Sequence, residues 1–282
     1  MGQGTQLQFC SECGAEYEAI KLMLFNVVQD LSNGRCRECR AKARAETEKE
    51  EVAVRQIEIS QKRMKWRSEC GIPPKFMNKE FGTFDTKRPG NVQAAYDESL
   101  AYANGFPVEY RRYIKLNGIA YKSLVLFSTD VWGIGKTHLA CSIGHKILNR
   151  WNGEEITNPI IFCSEPDLYR RIQATYHYTP EERRGCENEE DIILSMIYRP
   201  LLILDDVGKE RRADPKFVQR ILFSIIDGRY KNLRPIVVTT NMDGNSLRDY
   251  LGASKDEASY DRLWEMTGGE FFQIKGESYR RR

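Results

Sequence analysis

Three short stretches of this 282-residue chain carry residue types that together could handle a nucleoside triphosphate. The first is Gly133, Ile134, Gly135, Lys136, Thr137. Its glycines allow backbone angles that aim amide N–H groups at phosphate oxygens. Lys136 would bridge the outer phosphates and Thr137 would place its hydroxyl on magnesium, with His138 next in line at the same site. The second is the pair Asp205 and Asp206, which closes an apolar run. Asp205 suits magnesium, through a water or Thr137, and Asp206 suits polarising a water for attack on the terminal phosphate. The third is Asn241, at the end of another apolar run, placed to hold that water or sense the phosphate. Arg262 is a candidate arginine finger acting in trans, a contribution on the order of 10³ to 10⁵ in rate. The ligands implied are ATP and Mg2+.

One residue breaks the pattern. The motif G-x-x-x-x-G-K-[ST] wants glycine where this chain has Asp130. A carboxylate against a triphosphate is repulsive, so residues 128–132 are expected to loop outward with Asp130 in solvent. Asp206 has the shorter acidic side chain and reaches less far than a glutamate would, which predicts slow hydrolysis.

A separate cluster points to a second cation. Cys10, Cys13, Cys36 and Cys39 form two C-x-x-C knuckles with 22 residues between them. Each knuckle can give two thiolates to one tetrahedral ion, and structural zinc is the expected occupant. All four positions are cysteine, so none is left open for catalysis. A module this small buries too little core to fold unaided, and metal binding of order 10 kcal/mol would supply its stability. Arg35, Arg37, Arg40, Lys42 and Arg44 crowd its end with only Glu38 against them. That face suits nucleic-acid phosphates, a protein partner, or plain solvation.

These residues need elements to position them. Arg40–Trp66 lacks Gly and Pro and is dense in Ala, Glu, Lys and Arg, so it reads as a helix, ended by Pro73 and Pro74. Beyond Lys122, short apolar runs alternate with helical stretches. Strands are expected at Ser123–Phe127, Ile160–Cys163, Leu201–Asp206, Pro235–Asn241 and Glu270–Gly276. Helices are expected at Lys136–Trp151, Asp167–Tyr176 and Pro215–Tyr230. Continuous apolar strands separated by helices mean an α/β fold with a parallel sheet covered on both faces. The domains read as a cysteine module over 1–45, a helical linker over 46–69 and an ATPase domain over 70–282.

Composition narrows the classes. At 41% hydrophobic and 29% charged residues, a packed core is expected and wholesale disorder is excluded. A net charge of +3 is too mild to name a nucleic-acid partner without a local cluster. No apolar run is long enough for a membrane span, and the N-terminus lacks the regions of a signal peptide. The expectation is a cytoplasmic protein whose cysteines are thiols or metal ligands.

The stretches "LVLFSTDVWGIGKTHLA", "LLILDDVG", "PIVVTTN", "DRLWEM" and "KGESYR", with "GIPPKFMNKEFGTFD" as a lead-in, resemble the DnaC/IstB-like AAA+ ATPases over about Cys70 to Arg282. The resemblance implies a P-loop sheet of order 5-1-4-3-2, with Asn241 set between Lys136 and Asp206. The few residues after Ile274 leave no room for a helical lid, so a partner subunit would close the site. Arg280 is the candidate second sensor, or else part of a basic tail. The function implied is that of a helicase loader: ATP drives self-association with single-stranded DNA and a replicative DNA helicase, and hydrolysis releases the helicase. A transposition helper ATPase, or a zinc adaptor that binds nucleotide without turnover, are the alternatives.

Overall fold

The structure, a computed structural model, describes residues 7–24, 27–152, 157–179, 185–209, 214–252 and 258–279, with backbone alone for 21–29. The chain divides into two units, residues 1–61 and 62–282.

In the first unit, β1 (Leu7–Phe9) pairs antiparallel with β2 (Glu16–Glu18), and β3 (Lys21–Leu24) pairs antiparallel with β4 (Val27–Asp30). These strands are too short to have shown an alternating pattern in the sequence. Two αL residues, Asn33 and Gly34, turn the chain from β4 into α1 (Arg37–Glu69), the helix expected at Arg40–Trp66. It starts earlier because the second cysteine knuckle forms its first turn, with Arg40 N–H donating to Cys36 O at 3.0 Å.

The second unit holds α2 (Val92–Gly105), α3 (Tyr110–Asn117), β5 (Leu124–Phe127), α4 (Lys136–Arg150), β6 (Ile160–Ser164), α5 (Glu165–Thr175), α6 (Glu189–Tyr198), β7 (Leu201–Val207), α7 (Pro215–Lys231), β8 (Ile236–Thr240), α8 (Gly244–Tyr250), α9 (Ala258–Met266) and β9 (Phe272–Gln273). The five strands form one parallel sheet in the order β6-β7-β8-β5-β9. This is the expected 5-1-4-3-2 order, and it puts the carboxyl ends of β5, β8 and β7 side by side. Leu202, Ile203, Ile236, Val237, Val125 and Leu126 are wholly buried, as strands covered on both faces require.

Arg229 braces the opposite end of the sheet. It is fully buried, and its guanidinium donates to the carbonyls of Ile197 at 3.1 Å, Pro200 at 3.2 Å and Pro235 at 3.1 Å, and also to Met196. One planar cation thus satisfies the end of α6 and the starts of β7 and β8.

The fifth strand is shorter than the expected Glu270–Gly276. Asn91 takes over the ladder there: its side chain donates to Gln273 O at 2.7 Å and accepts from Lys275 N–H at 2.6 Å. Gly90 then bridges Gly276 antiparallel, and a Cβ on Gly90 would lie 2.0 Å from Lys275 O. Among the described residues no helix is long and apolar enough to cross a membrane.

Candidate functional site

β5 delivers the chain into the loop 128–135, and α4 begins at Lys136. Gly133 (φ +79°) and Gly135 (φ +115°) both take angles that L side chains rarely adopt. A Cβ on Gly135 would come within 2.7 Å of the Phe84 ring. Asp130 is exposed, accepts from Thr129 Oγ1 at 3.0 Å and is absent from the pocket wall, as expected for a carboxylate kept from phosphate. Trp132 beside it is 58% exposed and does line the pocket.

The pocket has a volume of about 440 Å³ and runs over the N-terminus of α4. Lys136, Thr137, His138, Asp206 and Asn241 share its wall with Gly133, Ile134 and Gly135. Lys136 Nζ donates to Asn241 Oδ1 at 2.7 Å. Thr137 Oγ1 lies 3.0 Å from both carboxylate oxygens of Asp205. Thr239 Oγ1 donates to Asp205 Oδ1 at 2.6 Å. Asp205 is 4% exposed, and burial, followed by the neighbouring Asp206 charge, pushes its carboxyl up to about 6 against the pull of the two threonines. A hydroxyl and a buried carboxylate at an open pocket fit a hard dication, whose charge would relieve both of those costs. Thr137 and Asp205 are the residues that would hold it.

Adjacent residues on a strand point to opposite faces, so Asp205 and Asp206 should diverge. A bulge prevents this. Leu204 pairs with Val238 but Val207 pairs with Thr240, so three steps on β7 oppose two on β8. Asp206 takes φ +58° inside the bulge, and its N–H donates to Thr239 Oγ1 at 2.9 Å in place of a ladder carbonyl. Its carboxylate reaches the pocket, where it meets Lys209 Nζ at 2.8 Å.

The lead-in forms the rest of the wall. Lys75, Phe76, Lys79, Phe84, Asp85 and Arg88 all face the pocket. His138 Nε2–H donates to Glu80 O at 3.0 Å, and burial holds its imidazole below the usual range, hence neutral. His138 therefore ties the lead-in to α4. Arg88 donates to Ile134 O at 2.9 Å, its guanidinium 5.0 Å from the Phe84 ring and 5.5 Å from Tyr279. Tyr279 N–H donates to Gly133 O at 2.9 Å, so the end of the chain straps the loop. Phe84, Arg88, Lys209, Thr239 and Tyr279 carry no phosphate motif. Thr239 is the first threonine of "VVTTN", and nothing in its spacing singled it out.

Two expected residues stand apart. Arg262, on α9, pairs with Asp227 at 3.0 Å beside the rings of Phe223 and Tyr230, away from the pocket wall of its own chain. Arg280 lies outside the described residues.

In the first unit the sulfurs of Cys10, Cys13, Cys36 and Cys39 all lie within 4.8 Å of one another. A zinc ion with four thiolates at about 2.3 Å separates sulfurs by about 3.8 Å, so the cluster fits one. The Cys13–Cys36 distance of 3.6 Å excludes a disulfide. Backbone N–H groups of Cys36 and Cys13 pull Cys10 down to about 6, whereas its neighbours' thiols and burial push Cys39 up. As thiolates the four would repel at this distance, and a cation among them would offset that.

A five-stranded parallel sheet with a phosphate loop after β5 and an acid pair two strands away on β7 defines the AAA+ class of P-loop proteins. The chain belongs to the family described as IstB-like ATP binding protein, whose model matches residues 111–282. It is 31% identical over 174 residues to the ATP-binding protein of insertion sequence IS5376 from Geobacillus stearothermophilus. It is 28% identical over 148 residues to protein YdaV of Escherichia coli (strain K12). The matches cover 61% and 52% of this chain, and the same shares of those relatives' lengths. Among solved structures, the DnaC helicase loader superposes with a TM-score of 0.52 at 22% identity, over 72% of this chain and 100% of that one. DnaI follows with 0.50 at 18%, over 72% and 93%. At these identities the likeness is one of fold.

Proposed function

We propose that the chain is an ATP-hydrolysing helicase loader. The observation that carries the ATPase reading is the convergence of Lys136, Thr137, Asp206 and Asn241, from three strand ends, on one pocket at a helix N-terminus, with Asp205 buried against Thr137. The α4 N-terminus and the loop amides suit phosphate oxygens. Lys136 would exchange its bond to Asn241 for the outer phosphates. Asp206 would orient the attacking water and take its proton, once its pairing with Lys209 opens. Asn241, released by Lys136, would meet the terminal phosphate. Mg2+, when bound, supplies charge neutralisation on the phosphates. The pocket side of the loop is open in one chain, so assembly would complete it with Arg262 from a neighbour. In the first unit, Cys10, Cys13, Cys36 and Cys39 would hold Zn2+ as a folding staple.

The loader role is supported by a metal module set ahead of the ATPase domain, a unit suited to gripping a helicase, and by the basic residues at its end. The IS5376 relative favours a second reading, a transposition helper. ATP turnover with and without single-stranded DNA, for wild type and Lys136→Ala, tests the first step. Equal inactivity of both would leave a nucleotide-binding adaptor. Co-purification with a replicative helicase, lost on Cys10→Ser, would support the loader; recovery with a transposase in its place would support the helper.

A further inference from the structure

We infer that Glu165 is a positioning residue of the nucleotide site, holding the turn that carries Asp206. The inference rests on the ATPase reading. Glu165 opens α5 directly after β6 and is fully buried. Its Oε2 accepts the Gly208 N–H at 2.7 Å, and its Oε1 accepts the hydroxyls of Tyr169 and Tyr250, each at 2.9 Å. Burying a carboxyl costs free energy that an apolar residue of like size would not incur. Here the cost goes with a bond to one particular amide.

That amide ends the β7 bulge. Asp206 (φ +58°) and Gly208 (φ +86°) are both left-handed, with Val207 between them. For a non-glycine residue this angle costs about 1 kcal/mol or more and persists only where neighbours over-determine it. Thr239 takes the Asp206 N–H, Thr240 donates to Val207 O at 2.7 Å, and Glu165 takes the Gly208 N–H. The two threonines belong to β8, so they fix the turn to one side only. Glu165 fixes it from the other, across the β6 edge. Without that bond the glycine end is free to relax along the strand, and the Asp206 carboxylate moves with it.

The tyrosines extend the anchor. Tyr169 is one turn along α5, and Tyr250 closes α8, the helix entered just after Asn241. Through one carboxyl, the Asp206 turn and the segment beyond Asn241 are held to the same point. Both groups that face the terminal phosphate depend on it without being touched by it.

The test is steady-state ATPase, ATP affinity by calorimetry and thermal midpoint, for wild type, E165Q, Y250F and the double variant. E165Q keeps the volume but replaces one acceptor oxygen with an NH2 donor, so either the Gly208 N–H loses its acceptor or both tyrosine hydroxyls must turn from donating to accepting. Expected is a fall in kcat on the order of tenfold to a hundredfold, the scale of a misplaced catalytic group, with ATP affinity within about twofold of wild type. Y250F should lose less, and the double variant should be no worse than E165Q. Amide exchange at Gly208 should quicken in E165Q. Unchanged kcat in E165Q and Y250F overturns the inference, as does a loss of kcat only in step with ATP affinity or thermal midpoint. If E165Q fails to fold, Y250F decides alone: lower kcat at wild-type affinity supports the inference, unchanged kcat ends it. A wild type with no turnover removes the ATPase reading and the inference with it. A wild type with turnover that both variants leave intact removes the inference alone.

Discussion

Lys136 and Asp206 each have a partner within the chain, Asn241 for the lysine and Lys209 for the acid. Triphosphate competes for Lys136 directly, whereas Asp206 matters only once water attacks. The two residues should therefore separate binding from chemistry. Lys136→Ala should lower ATP affinity by about tenfold to a hundredfold, the worth of a charge-assisted bond, measured by calorimetry. Asp206→Asn should leave that affinity within a few-fold and cut turnover by at least about a hundredfold, measured with a coupled assay. A parallel loss of affinity in both would place Asp206 in binding. These residue types were legible before the fold was known, because a phosphate loop and an acid pair are short local patterns. The company they keep was not. Thr239 lies 34 residues from Asp205 in the chain and Phe84 is on the lead-in, and no spacing rule links them.

Among the elements, α4 carries the most. Its N-terminus opens the pocket, and its buried face is tied to the lead-in by His138, Ser142 and His145. His145 Nε2–H donates to Phe76 O at 3.3 Å, and its Nδ1 meets no partner among the described residues. Burial, then the Arg67 charge, holds this imidazole below the ordinary 6.5. Above pH 6.5 both folded and unfolded chains are neutral there, so stability is complete. As pH falls below that value the unfolded chain takes the proton first, and stability drops until the folded value is passed. Urea midpoints at about pH 7.5 and about pH 5.5 should show this drop, and His145→Gln should reduce it. An equal drop in both proteins would assign the acid sensitivity elsewhere. The cysteine knuckles make a second elemental prediction. Removing metal with a chelator should expose the β1–β2 amides to exchange while β5, β7 and β8 stay protected. Unchanged β1–β2 protection in metal-free protein would mean that zinc is not the staple.

For the whole molecule the question is how the open pocket is completed. Arg262 is on α9, paired with Asp227 and outside the pocket wall of its own chain, so the role proposed for it is toward a second copy. Arg262→Ala should then bind ATP normally and fail to turn it over. Mixed with Asp206→Asn, it should regain part of the activity, because some interfaces then pair an intact acid with an intact arginine. No recovery over a range of mixing ratios would remove the finger in trans. The apolar runs with helices between them called only for a covered parallel sheet; its strand order was implied by the family resemblance, and the structure has that order.

What the chain declares in one dimension is the set of parts: the glycine–lysine–threonine loop, the acid pair, the asparagine, four paired cysteines, and the apolar runs that must become a covered parallel sheet. Each loop, acid pair, cysteine knuckle and apolar run is a short local pattern, where covalent geometry and periodicity govern. Folding in three dimensions settled the rest: that a bulge brings Asp206 to the pocket while Asp205 stays buried against Thr137, that Glu165 grips that bulge, that Arg88 and Tyr279 strap the loop, and that Arg262 rests on Asp227. Those outcomes come from side chains meeting across long separations, where packing and buried hydrogen bonds select partners that no local spacing encodes.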